Sequence, residues 1–407
     1  MISNRFEMNM DMAYYKMHRE SVEDTPDRNE SYSNELAVAL YGKNRVHEKI
    51  LVLCKKPPCP PERYHEQLRR IHATTHTPIK QRVVRKEAVR ILDASGIYDD
   101  YYTSIMDWNE SSNKIAVALE SNLYVWRDEI DHSPTLLIGN DDGDLPPLPI
   151  ISSVAWCRDL EPCLVVGDQN GLIGVWDVER EMQVRRFVGH TDSVGCLDIH
   201  EFIVTSGSRD SLIINWDLRV PVARVMTYEG HQGGVDVVKW NHDRSTLASG
   251  GNDTNIHLWS SHNTTLPIEI ESHTTTVKAI AWCPWQHNLM ATGAGQSDGT
   301  IRLWNVDTYT LLDYVETKSQ ITSLLWSTRT RELISSHGYP TNSITVWRYP
   351  TMSPLVEWCH DKRVLSIALS PDGSTLLSAG ADETLRFWQL RETSSTPRRQ
   401  MMGSVIR

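Results

Sequence analysis

An all-β protein built from seven similar blades is what this sequence predicts, on three observations. Seven tryptophans close short apolar runs at nearly constant spacing: Trp126, Trp176, Trp216, Trp259, Trp304, Trp347 and Trp388, which lie 50, 40, 43, 45, 43 and 41 residues apart. A period of about 40–45 residues that ends in Trp-Asp or a variant marks a WD-repeat β-propeller. Trp108, Trp156, Trp240, Trp282 and Trp326 end a further set of apolar runs in the same rhythm, with Leu197-Asp198-Ile199 in the vacant slot. These read as the inner strands of successive blades. Turn residues separate the runs, at Gly207-Ser208-Arg209-Asp210, Gly251-Asn252-Asp253, Ser297-Asp298-Gly299 and Pro371-Asp372-Gly373. Asp and Asn bond their own backbone in such turns, and Gly supplies positive φ.

The elements follow in order. Residues 1–88 lack the blade period and carry Pro57-Pro58, Pro60-Pro61 and several charged stretches, with short helical patches only at Glu7–His18 and Glu35–Tyr41. They read as a flexible N-terminal region that a partner would order. Residues 89–391 form the propeller. Its last blade supplies three strands, around Ser366–Leu369, Leu376–Ser378 and Leu385–Trp388, before the chain turns polar. An open edge there would pair with other chains. Val89-Arg90-Ile91-Leu92 is therefore expected as the fourth strand, clasping the start of the ring to its end. Residues 392–407, rich in Ser, Arg and Met, read as a flexible C-terminal tail.

Charge narrows the function. The net charge is −11, yet the first 90 residues carry 17 Lys+Arg against 12 Asp+Glu. The ring between the two basic ends is strongly acidic. Such a surface argues against nucleic acid and suits peptides bearing Arg or Lys. Seven scattered cysteines show no paired zinc spacing, so neither a metal nor a cofactor is expected. Their odd number and spacing fit reduced thiols, and the expected location is cytoplasm and nucleus. No apolar run approaches the 18 or so residues that would span a membrane. His190, Ser206 and Asp210 precede Trp216, and His231, Ser249 and Asp253 precede Trp259. Once, this set would suggest a hydrolase. Twice, at blade spacing, it reads as a hydrogen-bond network that holds the tryptophan, so no catalytic residue is assigned.

More specific residues carry a resemblance. Ile91-Leu92-Asp93-Ala94, Asp100-Tyr101-Tyr102, Met106-Asp107-Trp108, Ser206-Gly207-Ser208-Arg209-Asp210, Val277 to Gln286, Tyr349-Pro350-Thr351-Met352 and Asp382-Glu383-Thr384-Leu385-Arg386 together resemble the Fizzy and Fizzy-related family, activators of the anaphase-promoting complex, a ubiquitin ligase. Cys283-Pro284-Trp285-Gln286 and Tyr349 to Met352 look like the Fizzy branch, and a divergent Cortex-like meiotic member fits the departures below. The resemblance implies a non-catalytic receptor for degrons of cell-cycle proteins such as cyclins and securin, in mitosis or meiosis. A scaffold or competitor that docks the ligase without activating it is the alternative.

The resemblance also implies sites. Ile406-Arg407 matches the family's ligase-docking tail, a compact carboxylate, guanidinium and aliphatic unit. Ile2-Ser3-Asn4-Arg5 matches the second half of its N-terminal docking box, with Ser3 in place of Pro, which makes Arg5 a docking residue. Lys49-Ile50-Leu51-Val52-Leu53 resembles a motif that binds the spindle-checkpoint Mad protein by strand addition. The Arg of a destruction box (Arg-x-x-Leu) is expected in a groove between the first and last blades, met by Asp100 and Glu383. Lys-Glu-Asn degrons are expected on the central face at Asp107, Asn252, Gln320 and Arg363. Thr254 stands where the family has Asn, and Gln296 where it has Thr.

Overall fold

The computed structural model describes residues 84–127, 134–139, 148–157, 163–261, 267–271 and 273–390. Arg5, Lys49, Ile50, Leu51, Leu53, Ile406 and Arg407 lie outside the described residues. The described strands make seven four-stranded antiparallel sheets. Blade 1 comprises Met106–Trp108, Lys114–Leu119, Asn122–Arg127 and Thr135–Ile138. Blade 2 comprises Ile151–Trp156, Cys163–Asp168, Leu172–Asp177 and Met182–Val188, and blade 3 Val194–His200, Ile203–Ser208, Leu212–Asp217 and Arg224–Glu229. Blades 4, 5 and 6 begin with Val235–Trp240, Val277–Trp282 and Ile321–Ser327.

Blade 7 is closed as the sequence predicts. Its own strands are Val364–Leu369, Thr375–Gly380 and Thr384–Gln389, and Arg90–Asp93 pairs antiparallel with the last of them, Arg90 opposite Phe387 and Asp93 opposite Thr384. The clasp begins one residue later than predicted at its first strand pair, although the Val89 amide already donates to the Phe387 carbonyl at 2.8 Å. Just upstream, the Trp358 indole of blade 6 donates to the Arg85 carbonyl at 2.8 Å, so the entering chain touches two blades.

Two sets of tryptophan bonds hold the ring. The inner tryptophans stitch neighbouring blades: Trp156, Trp282 and Trp326 each donate their indole N–H to a carbonyl one blade back, at Asp107, Lys239 and Ala281. Those acceptors immediately precede the previous blade's own inner tryptophan, so the bonds form a regular girdle. The second set lies within blades. In blade 3 the Trp216 indole donates to Ser206 Oγ at 2.8 Å, His190 Nε2 meets the same oxygen at 2.8 Å, and His190 Nδ1 meets Asp210 at 3.0 Å. Blade 4 repeats this with Trp259, Ser249, His231 and Asp253. Blade 5 repeats it with Trp304, Thr292, His273 and Asp298, and blade 7 with Trp388, Ser378, His360 and Asp382. Blade 6 keeps the Trp347–Ser335 bond, but its histidine, His337, comes from two residues along the same strand.

Candidate functional site

Register explains where the ring is sealed and where it opens. In the five sheets where a hydroxyl receives the indole, it sits two residues past the partner of the tryptophan. Trp216 pairs with Val204 and bonds Ser206; Trp259 pairs with Leu247 and bonds Ser249. In blade 1, Trp126 pairs with Ile115, which puts Val117 in that position; in blade 2, Trp176 pairs with Leu164, which puts Val166 there. A valine offers the indole no acceptor. The Trp126 N–H is accordingly buried without a hydrogen-bond partner. Beside each valine the structure has a cavity.

The first cavity, about 390 Å³, lies between blades 7 and 1. Leu92, Val117, Leu119, Tyr124, Trp126 and Leu385 give it apolar walls, and Arg90 and Asp93 line its clasp side. Glu383 stands at the same edge: the Ala94 amide donates to its carbonyl at 2.9 Å, one register step from the Asp93–Thr384 pair. Both acids are exposed. Glu383 has φ of 60°, as Ser211 and Thr254 do at 68° and 69° in the equivalent turns of blades 3 and 4. Its backbone is thus a feature of the turn before the third strand, shared with open blade 2, where Gly171 has φ of 81°.

Asp100 does not line this cavity. After the clasp, residues 97–104 run across the mouth of the central channel as a strap. The Tyr101 hydroxyl donates to the Ile321 carbonyl of blade 6 at 2.9 Å, and Asp99 pairs with Arg363 of blade 7 at 3.0 Å. Asp100 accepts from Arg209 of blade 3 at 3.1 Å, and the same guanidinium lies over the Tyr102 ring. Lys278 of blade 5 donates to the Tyr102 carbonyl at 2.9 Å. The strap thus brings Asp100 to Arg209 beside Tyr102, and the acid that lines the first cavity is Asp93. Only seven positions separate Asp93 from Asp100, and nothing periodic in them announces the crossing.

The central face holds Asn252, Gln320 and Arg363. Gln320 and Arg363 immediately precede inner strands, and Asn252 follows the second strand of blade 4. Gln320 packs so closely on Gly338 that a Cβ there would lie 2.6 Å from its Oε1. Asn252 Oδ1 accepts from the Thr276 hydroxyl at 2.6 Å. Asp107 lies three residues beyond Ser104, roughly 10 Å along the channel wall at the rise of a β-strand. One oxygen accepts the Trp108 amide and the other the Trp156 amide, at 2.9 and 2.8 Å. Asp198 serves Trp240 in the same way in the next pair of blades. Asp107 ties blade 1 to blade 2 and lines the central cavity.

Under the strap lie charges that sequence reasoning missed. Lys278 is buried and donates to the carbonyls of Tyr102 and Asp236, and burial lowers its pKa. Asp236 is 3% exposed and its Oδ2 has no hydrogen-bond partner. Burial pushes its carboxyl up to about 7 against the opposing pull of Lys278 and Arg209. The signal in the sequence was Val235-Asp236-Val237 and Val277-Lys278-Ala279, charges at the second position of otherwise apolar inner strands. The buried Ser-His-Asp sets, in contrast, cannot act as nucleophiles: Ser206, Ser249 and Ser378 are fully buried and already bonded to an indole and an imidazole. His257 stacks on His231, and with Asp253 these bring three potential metal-binding groups within 4.8 Å. Two of them are engaged in the blade 4 network.

Comparison with known proteins agrees with this geometry. Residues 92–388 match the model of the CDC20/Fizzy WD40 domain. "Cell division cycle 20.1, cofactor of APC complex" from Arabidopsis thaliana is 38% identical, over 99% of this chain and 90% of its own length. "Anaphase-promoting complex subunit cdc20" from Dictyostelium discoideum is 40% identical over 76% of this chain, which spans 62% of that relative. A solved chain from the "Crystal Structure of Mitotic Checkpoint Complex" superposes with a TM-score of 0.72 at 39% identity, covering 76% of this chain and 97% of the other.

Proposed function

The chain belongs to the CDC20/Fizzy family of WD40 proteins, and from that premise we propose that it reads degrons for the anaphase-promoting complex through two separate surfaces. It is a non-catalytic cofactor of that ligase. The observation that carries the reading is the groove between blades 7 and 1, where an acidic edge adjoins an apolar cavity about 390 Å³ in volume. An extended Arg-x-x-Leu segment fits this layout. Its guanidinium would meet Asp93 and Glu383, and its leucine would pack on Val117, Leu119 and Trp126. Carboxylates are the natural acceptors of a guanidinium fork. A Lys-Glu-Asn segment fits the central face, where Asp100, Asn252, Gln320 and Arg363 offer both charges and an amide. Similarity to a chain of the mitotic checkpoint complex supports a checkpoint partner as well, for which Lys49 to Leu53 is the expected strand.

The test is a fluorescence titration of a labelled Arg-x-x-Leu peptide against the whole protein, Asp93→Ala, Glu383→Ala and the double variant. A charge-assisted hydrogen bond contributes about 1.5–3 kcal/mol, so each single change is expected to weaken binding about 10-fold at these exposed positions. The double change is expected to cost less than the sum, because one guanidinium is shared. A Lys-Glu-Asn peptide should be unaffected by these changes and weakened by Asp100→Ala. Full Arg-x-x-Leu affinity in both single variants would reject the acidic edge as its receptor.

A further inference from the structure

The second cavity, about 210 Å³, lies between blades 1 and 2 and repeats the construction of the first. Again a valine, Val166, stands where sealed blades have a hydroxyl, and again the neighbouring tryptophan is left open. Trp176 is only partly buried and its indole N–H has no hydrogen-bond acceptor. Gly174 forms the floor: a Cβ at this residue would lie 2.9 Å from Trp176 Nε1 and 2.7 Å from Gln183 Nε2. The absence of a side chain there is what lets the indole and the amide face one space. Ile138 of blade 1 and Leu172 give the apolar lining.

The polar character differs from that of the first groove. Arg186 lines the cavity, is exposed, and makes no hydrogen bond or ion pair among the described residues. Its neighbour Arg185 is committed to the Val220 carbonyl. Asp168 is the cavity's acid, but its Oδ1 already accepts the amides of Asn170 and Leu172 at 2.9 and 2.8 Å. The cavity thus offers three side-chain donors, an indole N–H, an amide and a guanidinium, beside one carboxylate whose charge Arg186 offsets. Such a set accepts a carboxylate, and the apolar lining accepts a small hydrophobic side chain.

We propose that the groove between blades 1 and 2 is a second peptide site, which binds an extended segment carrying an aliphatic residue next to Asp or Glu. Its charge preference is opposite to that of the groove between blades 7 and 1, and it does not depend on the degron reading of that groove. One ring would thereby hold two segments of a partner, or two partners, on adjacent sides.

The probe is an array of ten-residue peptides that combine one Leu, Ile, Val, Phe or Met with one Glu at every spacing from one to four residues. A matched array has Lys in place of Glu. The whole protein is expected to bind the best acidic peptides at least 10-fold more tightly than their Lys counterparts. Arg186→Glu, an exposed change, should abolish that preference, and Trp176→Phe, which removes an N–H that bonds nothing, should weaken binding several-fold without lowering the melting temperature. Binding of an Arg-x-x-Leu peptide, measured in parallel, should be the same in all three proteins. In NMR spectra the Trp176 indole N–H, assigned by its loss in Trp176→Phe, should shift on titration with the tightest acidic peptide. Equal binding of the two arrays, or acidic binding undiminished in Arg186→Glu, would overturn the proposal, as would an unmoved Trp176 signal at saturation.

Discussion

Blades 2 and 3 are adjacent, share one topology and end their third strands on equivalent tryptophans, yet one is open where the other is sealed. The difference lies in the network around that tryptophan. Ser206 gives blade 3 an oxygen that joins Trp216 to His190 and thence to Asp210; Val166 gives blade 2 none. A buried indole without an acceptor costs free energy, and the sealed blades avoid this cost while filling the space between blades with imidazole. Blades 1 and 2 forgo the network and have cavities beside the bare tryptophans. The two side cavities of this ring thus lie where a repeated stabilising motif has been omitted.

The contrast can be broken at several points. The largest effect should come from the clasp, which forms one wall of the first groove. Deleting residues 1–95 removes Arg90–Asp93 and bares the edge of Thr384–Gln389, so aggregation is expected. Deleting residues 1–82 should leave a soluble ring. Equal solubility in light scattering would refute closure by this strand. Next, Ser206→Val turns blade 3 into a copy of blade 2 and strands both Trp216 and His190. At about 1–3 kcal/mol for each unsatisfied buried group, a loss of roughly 2–4 kcal/mol in urea unfolding is expected. The reverse change, Val166→Ser, should stay within about 1 kcal/mol, since no histidine waits to complete the network.

The pH dependence of the two blades should have opposite signs. Burial raises the Asp210 carboxyl, but bonds from His190, Thr191 and Leu212 outweigh it and hold the group at about 2. Asp210 therefore stabilises the fold above its unfolded value of about 3.9, and the contribution fades as pH falls toward 2. With solvent screening at the turn the effect is about 1–2 kcal/mol. In Asp168 of the open blade burial prevails over the backbone bonds and the pKa is raised. The folded state there binds a proton more tightly than the unfolded, so stability declines as pH rises above about 3.9. Asp210→Asn should thus be less stable than wild type at pH 7 and nearly level at pH 2. Asp168→Asn should be more stable at pH 7 and level at pH 3. Parallel denaturation curves for the two variants across this range would contradict the assignment. The smallest effect concerns Thr254, a β-branched residue at φ of 69°. Asn tolerates that conformation better, so Thr254→Asn should gain about 0.5–1 kcal/mol in thermal melts.

Much of this was legible in the sequence because it is periodic. The tryptophan spacing gives the blade count, and the incomplete last blade demands the clasp that Arg90–Asp93 supplies. The networks of blades 3 and 4 could be read in advance because Ser, His and Asp recur there at matching offsets. Those of blades 5 and 7 escaped notice, one because Thr292 replaces Ser and the other because His360 follows a cysteine where His190 and His231 follow Gly. The open blades could have been found by asking which tryptophans lack a hydroxyl two positions past their partner, a question that needs strand register. Residues 97–104 were harder. Their bonds reach blades 3, 5, 6 and 7, far away in sequence, and no local pattern distinguishes a strap from a turn.

The clasp also has a mechanical meaning. Arg90 and Phe387 face each other at one end of the pair, so the chain enters the first strand and leaves the last at the same end. Tension applied between residues 84 and 390 would load these bonds one at a time, beginning with that of Val89 to Phe387, as a zipper is opened from its tab. Strands pulled in shear must break their bonds together; these need not. A ring drawn by its two ends, as when both are held by one large assembly, should open at blade 7 at low force and leave the other six blades intact. In an optical trap this would appear as an early, reversible step that Ala94→Pro, which removes the amide bonded to the Glu383 carbonyl at the clasp's far end, would shorten.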